Sequence, residues 1–200
     1  MTAPGVGLRN PFATRHTRPG TLVPRDAFGA VLDVPTLAVR ALTLGVAAIV
    51  GPHGAGKTNL LSALARHLAA AGRVVETKRV RAARDGFHVL DGVRRARPGA
   101  ILCVDGWEAL GPAWAALLRW AATRRRVGLI VTSHRSAGLP TLARCTTSPI
   151  LLARLVADLP DHGGLIDAAD IAEAFAARRG DVREALFDLY DRFERRMRRI

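Results

Sequence analysis

Apolar residues fall along this chain in two alternating kinds of segment. Val46-Ala47-Ala48-Ile49-Val50, Ala100-Ile101-Leu102-Cys103-Val104 and Val127-Gly128-Leu129-Ile130-Val131 are short, nearly unbroken apolar runs. Such runs predict strands buried on both faces of a parallel sheet. Between the first two, Leu60, Leu61, Leu64 and Leu68 recur at helical spacing and predict a helix from Lys57 to Ala71, closed by Gly72. Val74 to Val80 predicts a further strand, the Arg-rich stretch 81–98 a short helix, and Pro112 the start of a helix running to about Thr123. Leu142 to Thr147 reads as a short edge strand. Beyond Pro149 the pattern is helical only, over 150–159, 167–178 and 181–197. The alternation predicts an α/β fold: a three-layer sandwich with a parallel sheet between helices, followed by a small helical lid. Residues 1–36, rich in Pro, Gly, Arg and Thr, read as an irregular arm, 37–148 as the core and 149–200 as the lid. No internal repeat is visible.

Composition changes this picture little. The chain has 200 residues, 49% of them hydrophobic, which suits one domain with a real core. Its formal net charge is +13. Two of its 30 basic residues are lysines, Lys57 and Lys78, so 28 are arginines. A field of that sign attracts nucleic acid or acidic partners. A GC-rich coding bias gives the same arginine-for-lysine usage, and the arginines are spread along the sequence rather than gathered in one stripe. Nucleic acid therefore stays open as a partner. Cys103 and Cys145 show no ligand spacing, which argues against a zinc site and for a reduced, intracellular chain. Met1 to Asn10 lack an apolar leader, and the longest apolar stretch, Leu42 to Val50, is too short to span a bilayer. A soluble cytoplasmic protein without membrane contact is expected.

The chemistry concentrates after the first strand, in Gly51-Pro52-His53-Gly54-Ala55-Gly56-Lys57-Thr58. This Gly-x4-Gly-Lys-Thr pattern is a phosphate-binding loop, and a buried strand before it and an amphipathic helix after it are the required context. The glycines let backbone N–H groups curl around an oxyanion, and the helix aims its positive end at the phosphates. Lys57 reaches the β- and γ-phosphates, and Thr58 offers a hydroxyl to Mg²⁺. A chain that almost avoids lysine places one where the motif demands it. The loop residues with Asn59 are the candidate contacts for ATP, although His53 stands at a variable position and reads as a surface histidine. The pattern implies the P-loop NTPase fold. Asp105 ends the third apolar strand, where open parallel sheets bind ligands, and fits a Walker B carboxylate holding Mg²⁺ with Thr58. Gly106 follows it, and Glu108 comes three residues after Asp105. Glu108 is the candidate base for orienting a water, or a solvated residue ahead of the next helix.

Three further segments resemble the AAA+ superfamily. The fourth strand ends in Thr132-Ser133-His134, where these proteins present a polar sensor 1 side chain to the γ-phosphate. Thr132 or Ser133 fits, and strand alternation lets one of them face the site. His134 resembles the switch histidine of ABC-type ATPases, but no Ser-Gly-Gly-Gln signature accompanies it. Leu142-Ala143-Arg144-Cys145 is similar to the Ser-Arg-Cys segment of clamp-loader subunits, with alanine in place of the serine. That resemblance implies Arg144 as a finger acting in a neighbouring protomer's site. Gly180-Asp181-Val182-Arg183-Glu184-Ala185-Leu186 resembles the sensor 2 helix start of clamp-loader and origin-recognition lids, with Asp181 as cap and Arg183 reaching the γ-phosphate. The arm Asn10-Pro11-Phe12-Ala13-Thr14-Arg15 and the tail Arg183-Glu184-Ala185-Leu186-Phe187-Asp188-Leu189-Tyr190 are similar to a group of small bacterial P-loop ATPases. Phe12 or Pro11 is placed there to cover an adenine, or Phe12 simply packs inward.

These readings converge on an AAA+-like ATPase that couples ATP binding and hydrolysis to lid or oligomer rearrangement. Its partners would be a homo-oligomer, another protein, or nucleic acid. The rival is a nucleotide-gated adaptor with little hydrolysis, favoured by Gly106 beside Asp105. A small-molecule kinase fits less well, because the segment holding Arg124-Arg125-Arg126 is too short for an acceptor pocket.

Overall fold

The structure is a computed structural model that describes residues 9–135 and 137–199. The part of the leader reading that falls on residues 1–8 lies outside them. Five parallel strands form the central sheet: β1 (Val46–Val50), β2 (Val75–Arg79), β3 (Ile101–Asp105), β4 (Gly128–Ser133) and β5 (Thr141–Arg144). Their order is β2-β3-β4-β1-β5, so β4 lies between β1 and β3. The fifth strand takes the edge, as its short apolar run predicts.

The sheet is covered on both faces, as expected for this α/β class. Alternation sorts the strand residues. Ala47, Ile49, Ile101, Cys103 and Ile130 face α2 (Val34–Leu44) and α3 (Lys57–Ala70). Ala48, Val50, Leu102, Val104, Leu129 and Val131 face α4 (Gly86–Arg95) and α5 (Gly111–Arg125). The four leucines of α3 are each no more than 1% exposed, and burying a leucine stabilises a fold by roughly 1.5–3 kcal/mol. Both cysteines are buried, which pushes the Cys103 thiol up to about 12 and Cys145 to about 11.

Helix α2 was not expected. The boundary placed at residue 36 falls inside it. Its signals are local: Asp33 caps it by accepting from the Thr36 N–H at 3.0 Å, Pro35 sits in its first turn and Gly45 closes it. Its apolar face is narrow, with Ala38 and Ala41 the buried residues, so no strong helical period marks it. The preceding segment contains the four-residue α1 (Thr14–Thr17) and one bridge, Arg25 to Val31.

The last three helices are α6 (Pro149–Ala157), α7 (Ala168–Ala177) and α8 (Val182–Met197). They enclose a third apolar cluster that includes Leu152, Ala174, Leu189 and Phe193. Phe12 is 1% exposed and completes it, edge-on to Phe193 at 6.3 Å. Phe12 therefore packs inward, onto these helices rather than onto the sheet. Among the described residues no helix is long and apolar enough to cross a membrane.

Asp170 pins α7 to α8. Its carboxylate accepts from Arg196 Nη2 at 2.7 Å and Nη1 at 2.5 Å, and Arg192 lies 3.4 Å away. The Arg196 hydrogen bonds are the main reason its carboxyl is held down to about 2, against the opposing effect of burial. A depressed carboxyl stabilises the fold above its unfolded value of 3.8, and that contribution disappears as pH falls toward 2. Asp170→Asn is expected to lower stability at neutral pH by about 2 kcal/mol, with the gap closing in acid; urea titrations at both pH values measure it.

Candidate functional site

The residues after β1 build a loop that only small side chains permit. Gly54 and Gly56 have φ of 67° and 79°, in the left-handed region that favours glycine. A Cβ on Gly54 would strike the carboxylate of Asp181, the residue that caps α8. The last helix therefore begins against the loop. A Cβ on Gly51 would strike the carbonyl of Cys145. Helix α3 starts at Lys57 and presents its N-terminus to this loop.

Three elements meet on one oxygen. Thr58 Oγ1 at the start of α3 donates to Asp105 Oδ1 at 2.9 Å, and Thr132 Oγ1 at the end of β4 donates to the same oxygen at 2.7 Å. Thr132 in turn accepts the Gly106 N–H at 2.9 Å. Alternation explains the choice between the two polar residues ending β4. Thr132 is two residues beyond Ile130 and shares its face, as Asp105 shares that of Cys103. Ser133 follows Leu129 and Val131 onto the opposite face and lines a separate cavity beside α5. Of the two candidates, Thr132 reaches Asp105 and Ser133 does not.

Lys57 is 8% exposed. Its ammonium donates to the carbonyls of Gly51 at 2.8 Å and Pro52 at 2.6 Å, and lies 3.2 Å from His134 Nδ1. Burial lowers its pKa, opposed most by Glu108. The other ring nitrogen of His134 meets Glu108 Oε1 at 2.8 Å. His53 stacks on His134 with ring centroids 3.6 Å apart. Lys57, His134 and Glu108 thus form a continuous polar chain with His53 against it. Burial and the Lys57 charge lower the His134 pKa, and Glu108 opposes them.

The site opens into a cleft of about 670 Å³. Its polar lining comes from the loop, Asp105, Thr132 and His134, with Arg18, Arg79, Arg81 and Arg183. Its apolar lining includes Leu22 and Leu32 from the arm, Leu151 and Leu155 from α6 and Leu186 from α8. Arg183 also lies over the Phe187 ring at 5.8 Å. Arg79, at the end of β2, places Nε 3.5 Å from Asp105 Oδ2. No motif marked it, since only the pairing of β2 with β3 puts it opposite Asp105.

Asn59 also lines the cleft, with its side chain engaged by the arm. It accepts from the Gly20 N–H at 2.8 Å and donates to the Leu22 carbonyl at 2.9 Å. Arg144 is exposed at the end of edge strand β5 and does not line this cleft. The arm is also fastened to α6. Arg25 forms a two-pronged ion pair with Asp158, at 2.8 and 2.9 Å, and Ser148 donates to the Ala27 carbonyl.

Thr132 has a structural consequence that needs no ligand to detect. Thr132→Val keeps the shape but leaves the Gly106 N–H without its acceptor. A loss of about 1–3 kcal/mol in denaturant unfolding is expected, and an unchanged midpoint would contradict this bonding.

No family model and no curated protein matches this sequence. Solved structures do share part of its course. PCH-2 of C. elegans aligns at 12% identity over 82% of this chain and 67% of that one, with a TM-score of 0.42. Domain III of the Thermotoga maritima replication initiation protein DnaA aligns at 14% identity over 86% and 98%, with a TM-score of 0.43. Rhizobiales Trip13 aligns at 16% identity over 70% and 60%, with a TM-score of 0.39.

Proposed function

We propose that this chain binds ATP with Mg²⁺ in the cleft and hydrolyses it, with α6 to α8 acting as a lid. The observation that carries the reading is the convergence of Thr58 and Thr132 on Asp105 Oδ1 beside a glycine loop that ends in a buried lysine. A hydroxyl and a carboxylate are the oxygen donors Mg²⁺ takes, and positive-φ glycines at a helix N-terminus suit a phosphate. The metal would neutralise charge on the β- and γ-phosphates. The residues divide the remaining work. Lys57 and the loop N–H groups hold phosphate oxygens, and Thr58 and Asp105 hold the metal. Arg79 would release Asp105 to it and supply positive charge nearby. The lining leucines receive the base, and Arg183 reaches over from the lid. In this reading the arm ends at Asp33, the core begins with α2 and the lid begins at Ser148.

Glu108 is the proposed base, and His134 positions it through the 2.8 Å contact. Arg144, exposed at the sheet edge, suits a role in a neighbouring protomer's cleft. The second reading is a nucleotide-gated adaptor with slow turnover, and one observation favours it: Gly106 stands directly after Asp105, while Glu108 is engaged with His134. Binding of a fluorescent ATP analogue and phosphate release separate the two. Lys57→Ala should reduce affinity at least about 100-fold, since a phosphate-bound ammonium contributes roughly 3 kcal/mol. Glu108→Gln should keep affinity and lower turnover by about 100-fold or more. Tight binding by the unaltered protein with no phosphate release selects the adaptor.

His134 supplies an independent check. Burial and Lys57 hold its pKa down, while Glu108 across from it and His53 stacked on it complete its charged surroundings. A triphosphate beside it opposes the Lys57 field and favours the imidazolium. Binding near pH 6.5, the ordinary histidine value, should therefore take up protons. Calorimetry in two buffers of different ionisation enthalpy reads this uptake, and His134→Ala should abolish it.

A further inference from the structure

The sequence scatters its arginines, but the sheet gathers seven of them at the pole opposite the cleft. Strands β2, β3 and β4 are neighbours, and the turn that leads into each carries an arginine: Arg73, Arg97 and Arg126. Backbone hydrogen bonds tie these turns side by side. Ile101 N–H donates to the Val74 carbonyl at 2.9 Å, and Gly99 N–H donates to the Arg126 carbonyl at 2.8 Å. With neighbouring strands about 4.8 Å apart, the Arg73 and Arg126 turns lie about 10 Å from each other. The C-terminal ends of α4 and α5 add Arg94, Arg95, Arg124 and Arg125 to the same pole. All seven are exposed. Among the described residues, Asp91 is the one acidic side chain that pairs with any of them, to Arg95 at 3.0 Å.

The helix dipole accounts for basic residues in the last turns of α4 and α5. It does not account for those in the turns. Arg126 has φ 54° and ψ 39°, left-handed backbone where glycine or asparagine is favoured. An arginine there keeps a charge at a conformational cost. A second feature adjoins the cluster. Trp120 on α5 is 62% exposed with the Arg124 guanidinium 6.0 Å from its ring, and Leu117 beside it is 40% exposed.

We propose that this pole binds single-stranded nucleic acid. The arginines would hold successive phosphates, for which the planar guanidinium is well shaped. Trp120 would offer a face on which a base stacks. An acidic protein would satisfy the charges equally well, but only a nucleic acid brings a flat base with every phosphate. The proposal does not rest on the nucleotide reading, because the cleft lies at the other ends of the strands.

The test is fluorescence polarisation of a labelled oligothymidylate of about 15 nucleotides, titrated with full-length protein over a range of salt. The triple variant Arg97→Ala, Arg124→Ala, Arg126→Gly should bind at least about tenfold more weakly and flatten the slope of log affinity against log salt by about 2. Trp120→Ala should weaken binding about fivefold or more. Arg126→Gly alone should leave the melting temperature unchanged or raise it while reducing affinity, which separates recognition from folding. Lys57→Ala should bind the oligonucleotide as the unaltered protein does, so failure of ATP binding and failure of this surface are read separately. Unchanged affinity and salt slope in the triple variant would overturn the proposal, as would tighter capture of a polyglutamate peptide than of the oligonucleotide.

Discussion

The cleft depends on a carboxylate oxygen shared by residues far apart in sequence. Asp105 Oδ1 accepts from Thr58 and from Thr132, so the start of α3 and the ends of β3 and β4 are held in one geometry. Asp105 Oδ2 faces Arg79 on β2, which extends the junction across a third strand. An asparagine there could still accept from both threonines through its carbonyl oxygen, but its NH2 would meet the Arg79 guanidinium where Oδ2 now stands. The parallel sheet makes the junction possible. Parallel strands end at the same edge, and residues of matching parity point to the same side.

Around that junction the chain is tied by contacts between its first and last segments. Asn59 fastens the arm to α3, Arg25 fastens it to Asp158, and Phe12 is buried among α6 to α8. The Asp181 carboxylate in turn rests on Gly54 of the loop. A shift of the loop would therefore be felt at the base of α8, and a shift of α8 would be felt by the arm. This closed circuit joins the loop, the arm and the last three helices through direct contacts. The Asp170 network fastens α7 to α8.

The polar chain of Lys57, His134 and Glu108 belongs to the same logic. Each member is held by the next, and the lysine and histidine are both biased toward their neutral forms by burial. An anion entering the cleft opposes that bias.

Much of this was legible in the sequence because local rules govern it. Five-residue apolar runs become strands, leucines at helical spacing become α3, and Gly-x4-Gly-Lys-Thr makes its loop whatever the rest of the chain does. That Asp105 ends its strand was readable from the apolar run before it. Helix α2 was not, since its small alanine face and single cap give little periodic signal. Other features needed the tertiary structure. Which of Thr132 and Ser133 faces the site follows from the register of β4 against its neighbours. That Arg79 meets Asp105, that Asn59 holds the arm and that His134 bridges Lys57 and Glu108 follows from strand order and packing between distant segments. The same holds for the basic pole, where arginines scattered in sequence become neighbours because three parallel strands begin side by side. Local propensity and spacing determined the elements and the loop. Only long-range pairing decided which side chains share a surface, because no short-range preference encodes it.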